Sequence, residues 1–274
     1  MSEVQVTDAE IAASHAAFSD TEHGQRLAAD VRFGRYRPVH VSKEDWVLLL
    51  GADVNNLHHM SLTRGLARDF IRTTNKLEPG RISPADAALL EVSAMVHDRA
   101  ESITGDITFS LKTAHDEIRE QKAFRTYLPH FGDSSPGVRM LIERAVDEVI
   151  WDHESPCGQM LNAVENVGYM RTALRAGRLV AEQSTAYYVD RGLRWLGVDV
   201  LISTPPRLRE YAQIFPAVGQ YVDAKQDDIS SMYRLLEDER NFLPYGSEFR
   251  EKYTAYGTSR YAWENAPDDL EDVS

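Results

Sequence analysis

The stretch Ser83–Asp98, SPADAALLEVSAMVHD, opens with a serine followed by proline and closes with a histidine–aspartate pair. Serine is a favoured helix N-cap and proline is tolerated at the first helical position, so a helix is expected to start here. Ala87, Leu89, Leu90, Val92, Met95 and Val96 then make it apolar on nearly every side. A helix without a polar face belongs in the middle of a helical protein rather than on its surface. Its last residues, His97 and Asp98, would therefore be delivered into the interior.

Further helical patterns extend in both directions. Asp8 to Phe33 reads as one helix, with Gly34 and Pro38 ending it. Trp46-Val-Leu-Leu-Leu50 fits a short buried strand or a helical turn, because five apolar residues are too few for periodicity to decide. Asn55-Asn56 precedes an amphipathic helix over His58 to Lys76, closed by Glu78-Pro-Gly80. Later patterns cover Ala114 to Leu128, Gly137 to Trp151, Gln159 to Arg175 and Leu179 to Trp195. Pro205-Pro206 is expected to begin a segment through Tyr221, and Asp227 to Phe242 one more helix. The fold class expected is all-α.

The 274 residues are 43% hydrophobic and 27% charged, as in ordinary water-soluble proteins, and no run of about 18 apolar residues is present to span a bilayer. The start, MSEVQVTDAE, lacks a secretory pattern, and the single Cys157 has no partner for an internal disulfide. A cytoplasmic setting is the expectation. A formal net charge of −13 argues against a nucleic-acid polymer as partner, since phosphate backbones attract basic surfaces. A small anionic substrate stays compatible, because a metal ion or a few local arginines outweigh a repulsive far field.

Beyond His97-Asp98 come Glu101 and, after Gly105, Asp106. The helix is expected to continue until Gly105 stops it, so that His97 and Glu101 share a face, with Asp98 about 100° around it. Imidazole and carboxylate together suit Mn, Co, Fe or Zn. A lone His-Asp pair is more often a solvated helix end. The apolar run before this pair argues for burial instead, and buried charge needs a partner or a metal.

These residues resemble the HD-domain phosphohydrolases, and within them the 5′-deoxynucleotidase branch. The likeness rests on His59 in LHHMSLTRGLA (57–67), on His97-Asp98, Glu101, Gly105-Asp106 and Lys112 in HDRAESITGDITFSLK (97–112), and on Glu165 in LNAVENVGYM (161–170). It spans roughly residues 57 to 175. It implies an HD-type helical bundle with additional C-terminal helices: an N-terminal helix and substrate-side loop over 1–40, a metal-dependent core over 41–200, a helical extension over 201–260 packed on the core, and an acidic, disordered tail over 261–274. It also implies one divalent metal ion, Mn, Co, Mg, Fe or Zn, held by His59, His97, Asp98 and Glu165. Glu165 stands where the family usually has an aspartate. Glu101 and Asp106 would handle water and leaving group, while Lys112, Arg32 and Arg35 would meet the phosphate.

The activity implied is hydrolysis of deoxynucleoside 5′-monophosphates to nucleoside and phosphate. A deoxynucleoside triphosphate triphosphohydrolase would use the same metal corner. Two readings of other classes stand beside these. His130 and His153 would support a diiron HD oxygenase, and Glu165 in place of aspartate would suit a non-catalytic nucleotide-binding protein. The residues beyond Val200 are open to a homo-oligomer interface, a lid or a specificity element.

Overall fold

A computed structural model describes residues 6–107, 112–127, 131–132, 135–183 and 187–236, except for the side chains of Arg35, Asp53, Tyr127, Tyr187, Tyr188 and Ile202. The fold is all-α. Its helices are α1 (Asp8–Ser19), α2 (Glu22–Ala29), α3 (Lys43–Leu50), α4 (Asn56–Leu77), α5 (Pro84–Val96), α6 (Glu101–Thr104), α7 (Ala114–Tyr127), α8 (Pro136–Ala145), α9 (Pro156–Ala181), α10 (Tyr187–Ile214) and α11 (Pro216–Leu235). Among the described residues no strand forms, and a single antiparallel bridge joins Val31 to Asn55.

α5 is the central helix that its composition calls for. Ser83 caps it by accepting the Asp86 N–H, and Leu89, Leu90, Val92, Ser93, Ala94, Met95 and Val96 are all buried. It packs on α4, α8 and α9. A helix covered on three sides must end among other helices, and α5 therefore carries the His-Asp pair inward.

Two parts of the sequence reading change and one that it left open is decided. The single helix expected over Asp8–Phe33 is two, because the Thr21 hydroxyl accepts the Gly24 N–H and restarts the chain as α2. Residues 46–50 lie in α3, where Ser42 caps the first turn and Trp46 and Leu50 are fully buried. Pro205 and Pro206 lie inside α10 instead of opening a helix, and α11 begins at Pro216. Leu201, Thr204 and Leu208 are buried around the prolines, and α10 packs along α9 and α11. That packing outweighs the loss of two amide donors, a cost that local propensity reads as a break. α10 also runs continuously across residue 200, so no chain break divides core from extension there. The expected tail over 261–274, with Phe242 and Leu128, lies outside the described residues.

The segment after α2 is tied to the body from two directions. Arg32 N–H donates to Val54 C=O, and the Tyr36 hydroxyl donates to the Asp199 carboxylate on α10. Gly192 lets this segment lie against α10, since a Cβ there would stand 2.3 Å from the Tyr36 carbonyl oxygen. Backbone cannot retreat as a flexible side chain does. Gly192→Ala is therefore expected to destabilise the protein by about 1–3 kcal/mol, measured by thermal or urea unfolding. An unchanged unfolding midpoint would show that the approach is looser than this geometry.

Candidate metal centre

Three helices and one loop meet at the C-terminal end of α5. α4 starts at the Asn55 cap, whose side chain accepts the His58 N–H, and this fixes the helical phase so that His59 is buried while His58 is exposed. α5 ends at Val96 with His97 as its C-cap. The chain then turns tightly, with Arg99 N–H on Val96 C=O and Glu101 N–H on Asp98 C=O, before α6 begins. The continuous helix through Glu101 expected from the sequence is thus replaced by a turn and a four-residue helix, which Gly105 ends at φ 79°.

His59, His97 and Asp98 offer ligand atoms that all lie within 4.8 Å of one another, a group able to hold a metal ion. His97 Nε2 is 3.3 Å from His59 Nε2 and 3.2 Å from Asp98 Oδ2, and His59 Nε2 is 3.6 Å from the same oxygen. Glu165 on α9 brings Oε1 to 3.0 Å from His97 Nε2. The longer side chain reaches the centre, and Glu165 is not the solvated carboxylate that its substitution for aspartate would allow. His97 Nδ1 donates to the Ala94 carbonyl at 2.9 Å, which fixes the ring and directs Nε2 at the cluster.

Electrostatics set the two imidazoles apart. Burial opposes charge on His97, but Asp98 and Glu165 outweigh it and hold its pKa well above the ordinary value. His59 lies well below its own, through burial and then the Arg32 and His97 charges, against Asp98. The Asp98 side chain is 13% exposed, and its partial burial opposes charge. His97, Arg32 and His59 nevertheless carry its carboxyl far below the usual range.

Of the two N-terminal arginines expected to meet the phosphate, Arg32 reaches the centre. It is 6% exposed, and Nη1 lies 2.7 Å from Asp98 Oδ2. The Arg35 side chain lies outside the described part of the chain. Glu101 is buried and accepts the Asn56 Nδ2–H at 2.9 Å. Burial, then Asp98 and Asp106, push the Glu101 carboxyl well above its ordinary value, with Arg32 and Lys112 pulling the other way. Asp106 is raised as well, by burial together with Asp98 and Asp30 and against Arg32 and Lys112. Two carboxyls pushed upward thus stand near one that is held low.

Lys112 is placed differently from the free phosphate-binding cation expected. Its ammonium contacts Glu120 on α7, a carboxylate only 3% exposed. Burial works against the charge on Lys112, but Glu120, Glu101 and Asp98 raise its pKa. Of the histidines invoked for a second iron, His130 lies outside the described residues, and His153 bonds the Asn162 amide through Nδ1 at 2.9 Å. His153 is not part of the ligand group.

Three residues of the centre escaped the sequence reading: Asn56, Tyr169 and Glu120. Asn56 precedes His59 by three residues and Tyr169 follows Glu165 by four, so each shares a helical face with a ligand. That spacing was the available signal. Nothing in the sequence pairs Glu120 with Lys112. No family model, curated protein or solved structure matches the chain.

His59→Ala, His97→Ala and Asp98→Ala should each weaken Mn or Co binding by roughly 100-fold or more, whereas Glu101→Gln should retain the metal. Metal content of the purified variants checks this, and loss of metal from Glu101→Gln would move Glu101 into the ligand set.

Glu120 gives a pH prediction. Burial raises its carboxyl to about 7 despite the Lys112 charge. A raised acid binds more protons folded than unfolded, so its contribution to stability is full below the unfolded pKa and is lost as pH rises through about 7. Urea unfolding of the metal-free protein between pH 4.5 and 8 should show a shallower decline for Glu120→Gln than for wild type. Equal slopes would remove Glu120 as a source.

Proposed function

We propose that this chain is a metal-dependent phosphohydrolase of the HD-domain type that releases phosphate from deoxynucleoside 5′-monophosphates. The observation that carries the reading is the convergence of His59, His97 and Asp98 from two helices onto one point, with Arg32 on Asp98 and the Glu101 and Asp106 carboxyls near it. Order, spacing and burial of these residues all agree with the resemblance in the sequence. The donor set fits a divalent ion: two imidazoles and a carboxylate, with Glu165 adjoining.

A divalent cation held there would supply positive charge to phosphoryl oxygens and acidify water. The chain's own residues do the rest. Arg32 is a fixed, always-charged fork, and a phosphoryl group entering beside Asp98 would find its N–H groups already aimed. Glu101 is oriented by the Asn56 amide and holds a proton by burial, which suits it to give that proton to a leaving oxygen. Asp106, in the loop beyond α6 and pushed up by the same burial, stands beside Glu101 to orient the water. Lys112, anchored on Glu120, adds a positive charge near Glu101 and Asp98. The Glu120 contact makes it a fixed background charge and Arg32 the principal phosphate ligand.

Phosphate release should be assayed over deoxynucleoside mono-, di- and triphosphates, with Mn, Co, Mg and Zn each supplied. Turnover of 5′-monophosphates is expected, with Glu101→Gln lowering kcat by roughly 10²- to 10⁴-fold at unchanged metal content. Turnover of triphosphates alone would select the triphosphohydrolase that shares this metal corner. No turnover of any nucleotide with any metal would sink the reading.

A further inference from the structure

Arg32 occupies an unusual backbone setting. Phe33, the next residue, has φ 60° and ψ 21°, the left-handed region that a bulky side chain rarely adopts. Such a conformation costs of order 1–3 kcal/mol and persists only where surrounding contacts hold it, as occurs at ligand clamps. Here the contacts come from Tyr169 on α9. Its ring meets the Phe33 ring edge-on, with centroids 6.3 Å apart, and its hydroxyl accepts the Arg32 Nη2–H at 3.1 Å. The other arm of the same guanidinium, Nη1, reaches Asp98.

The Tyr169 phenol is kept neutral. Burial, then Glu165, Asp98 and Glu101, raise its pKa above the ordinary value, against Arg32. Its oxygen is therefore a neutral acceptor that holds the guanidinium in place without cancelling its charge. Arg32, Phe33, His59 and Tyr169 line one narrow cavity, so this clamp stands against the metal centre itself.

We propose that Tyr169 is a positioning residue that holds Arg32 so that metal binding and phosphate binding at this centre are coupled through one guanidinium. Asp98 is the shared element. A divalent cation on His59, His97 and Asp98 neutralises the carboxylate that now balances Arg32, and the guanidinium then needs another anion. A phosphoryl group beside it supplies that anion. Each ligand thus favours the other, and by linkage the factor is the same in both directions. The coupling requires Arg32 to stay where both charges are felt, which is what the Tyr169 hydroxyl and the Phe33 turn ensure. This inference rests on the proposed phosphohydrolase reading but is tested without turnover.

The experiment is calorimetric titration of the full chain with Mn²⁺, with and without inorganic phosphate. In wild type, phosphate should tighten Mn²⁺ binding by roughly 10-fold. Tyr169→Phe keeps the ring and removes only the hydroxyl, and it should reduce that factor to about 3-fold or less, with the affinity for Mn²⁺ alone within about 2-fold of wild type. Arg32→Lys, which cannot reach two partners with one planar fork, should also lose the coupling, and adding Tyr169→Phe to it should change nothing more. A merely structural tyrosine would weaken Mn²⁺ binding itself, or act additively with Arg32→Lys. Either result, or full coupling in Tyr169→Phe, overturns the proposal, as does a wild type without coupling. Coupling that is present and lost as described, with no hydrolysis of any nucleotide, would instead uphold the clamp and overturn the phosphohydrolase reading.

Discussion

A carboxylate largely withdrawn from water among helices needs compensation to remain ionised, and Asp98 is the point at which this structure supplies it. One oxygen, Oδ2, faces Arg32, His97 and His59. Each of these arrives on a different segment: the loop after α2, the end of α5, and the first turn of α4. An isolated charge at that depth would cost several kcal/mol, so the three segments are held together by the need to surround it. The same requirement explains why the centre suits a divalent cation. The geometry that satisfies a buried anion with imidazoles and a guanidinium is close to the geometry that coordinates a metal.

Around Asp98 the charges are graded. The Asp98 carboxyl is held far below the usual range while those of Glu101 and Asp106 are pushed up, and the His59 imidazole is held below its ordinary value while that of His97 is held above it. Groups of one chemical kind are thus separated into different protonation states by burial and by their neighbours, the arrangement that acid–base chemistry needs at one pH. The separation follows from position. Asp98 lies against three cationic or imidazole groups, whereas Glu101 lies one turn further along, against the Asn56 amide and other carboxyls.

The N-terminal segment belongs to the centre despite its distance in sequence. Phe18 and Leu27 on α1 and α2 cluster with Leu57 and Met60 on α4, which anchors the start of the chain beside the ligand helix. The Arg99 guanidinium lies 4.5 Å from the centroid of the Phe18 ring, joining that cluster to the turn after Asp98. From this anchor the chain proceeds through Arg32 and the strained Phe33 turn to α10, where Tyr36 meets Asp199. Among the described residues no helix is long and apolar enough to cross a membrane.

The sequence by itself determined the all-α class and the central place of α5, because each depends on local chemistry: capping at Ser83 and apolar residues all around one helix. The choice of His59 rested on the resemblance, and the Asn55 cap sets the helical phase that buries it and exposes His58. Other features depended on what lies across the fold. The helical state of Trp46–Leu50, the passage of α10 through Pro205-Pro206 and the break at Thr21 were decided by packing and capping that compete with weak local preferences. Glu165 reaches His97 because α9 lies close enough to α5, and Lys112 turns to Glu120 because burial leaves an ammonium no better partner. Arg32 was expected at the phosphate, and only the meeting of its loop with α5 and α9 placed it between Asp98 and Tyr169. Pairings across 66 and 137 residues leave no periodicity in a sequence, since they are set by how helices pack rather than by which residues are neighbours in the chain.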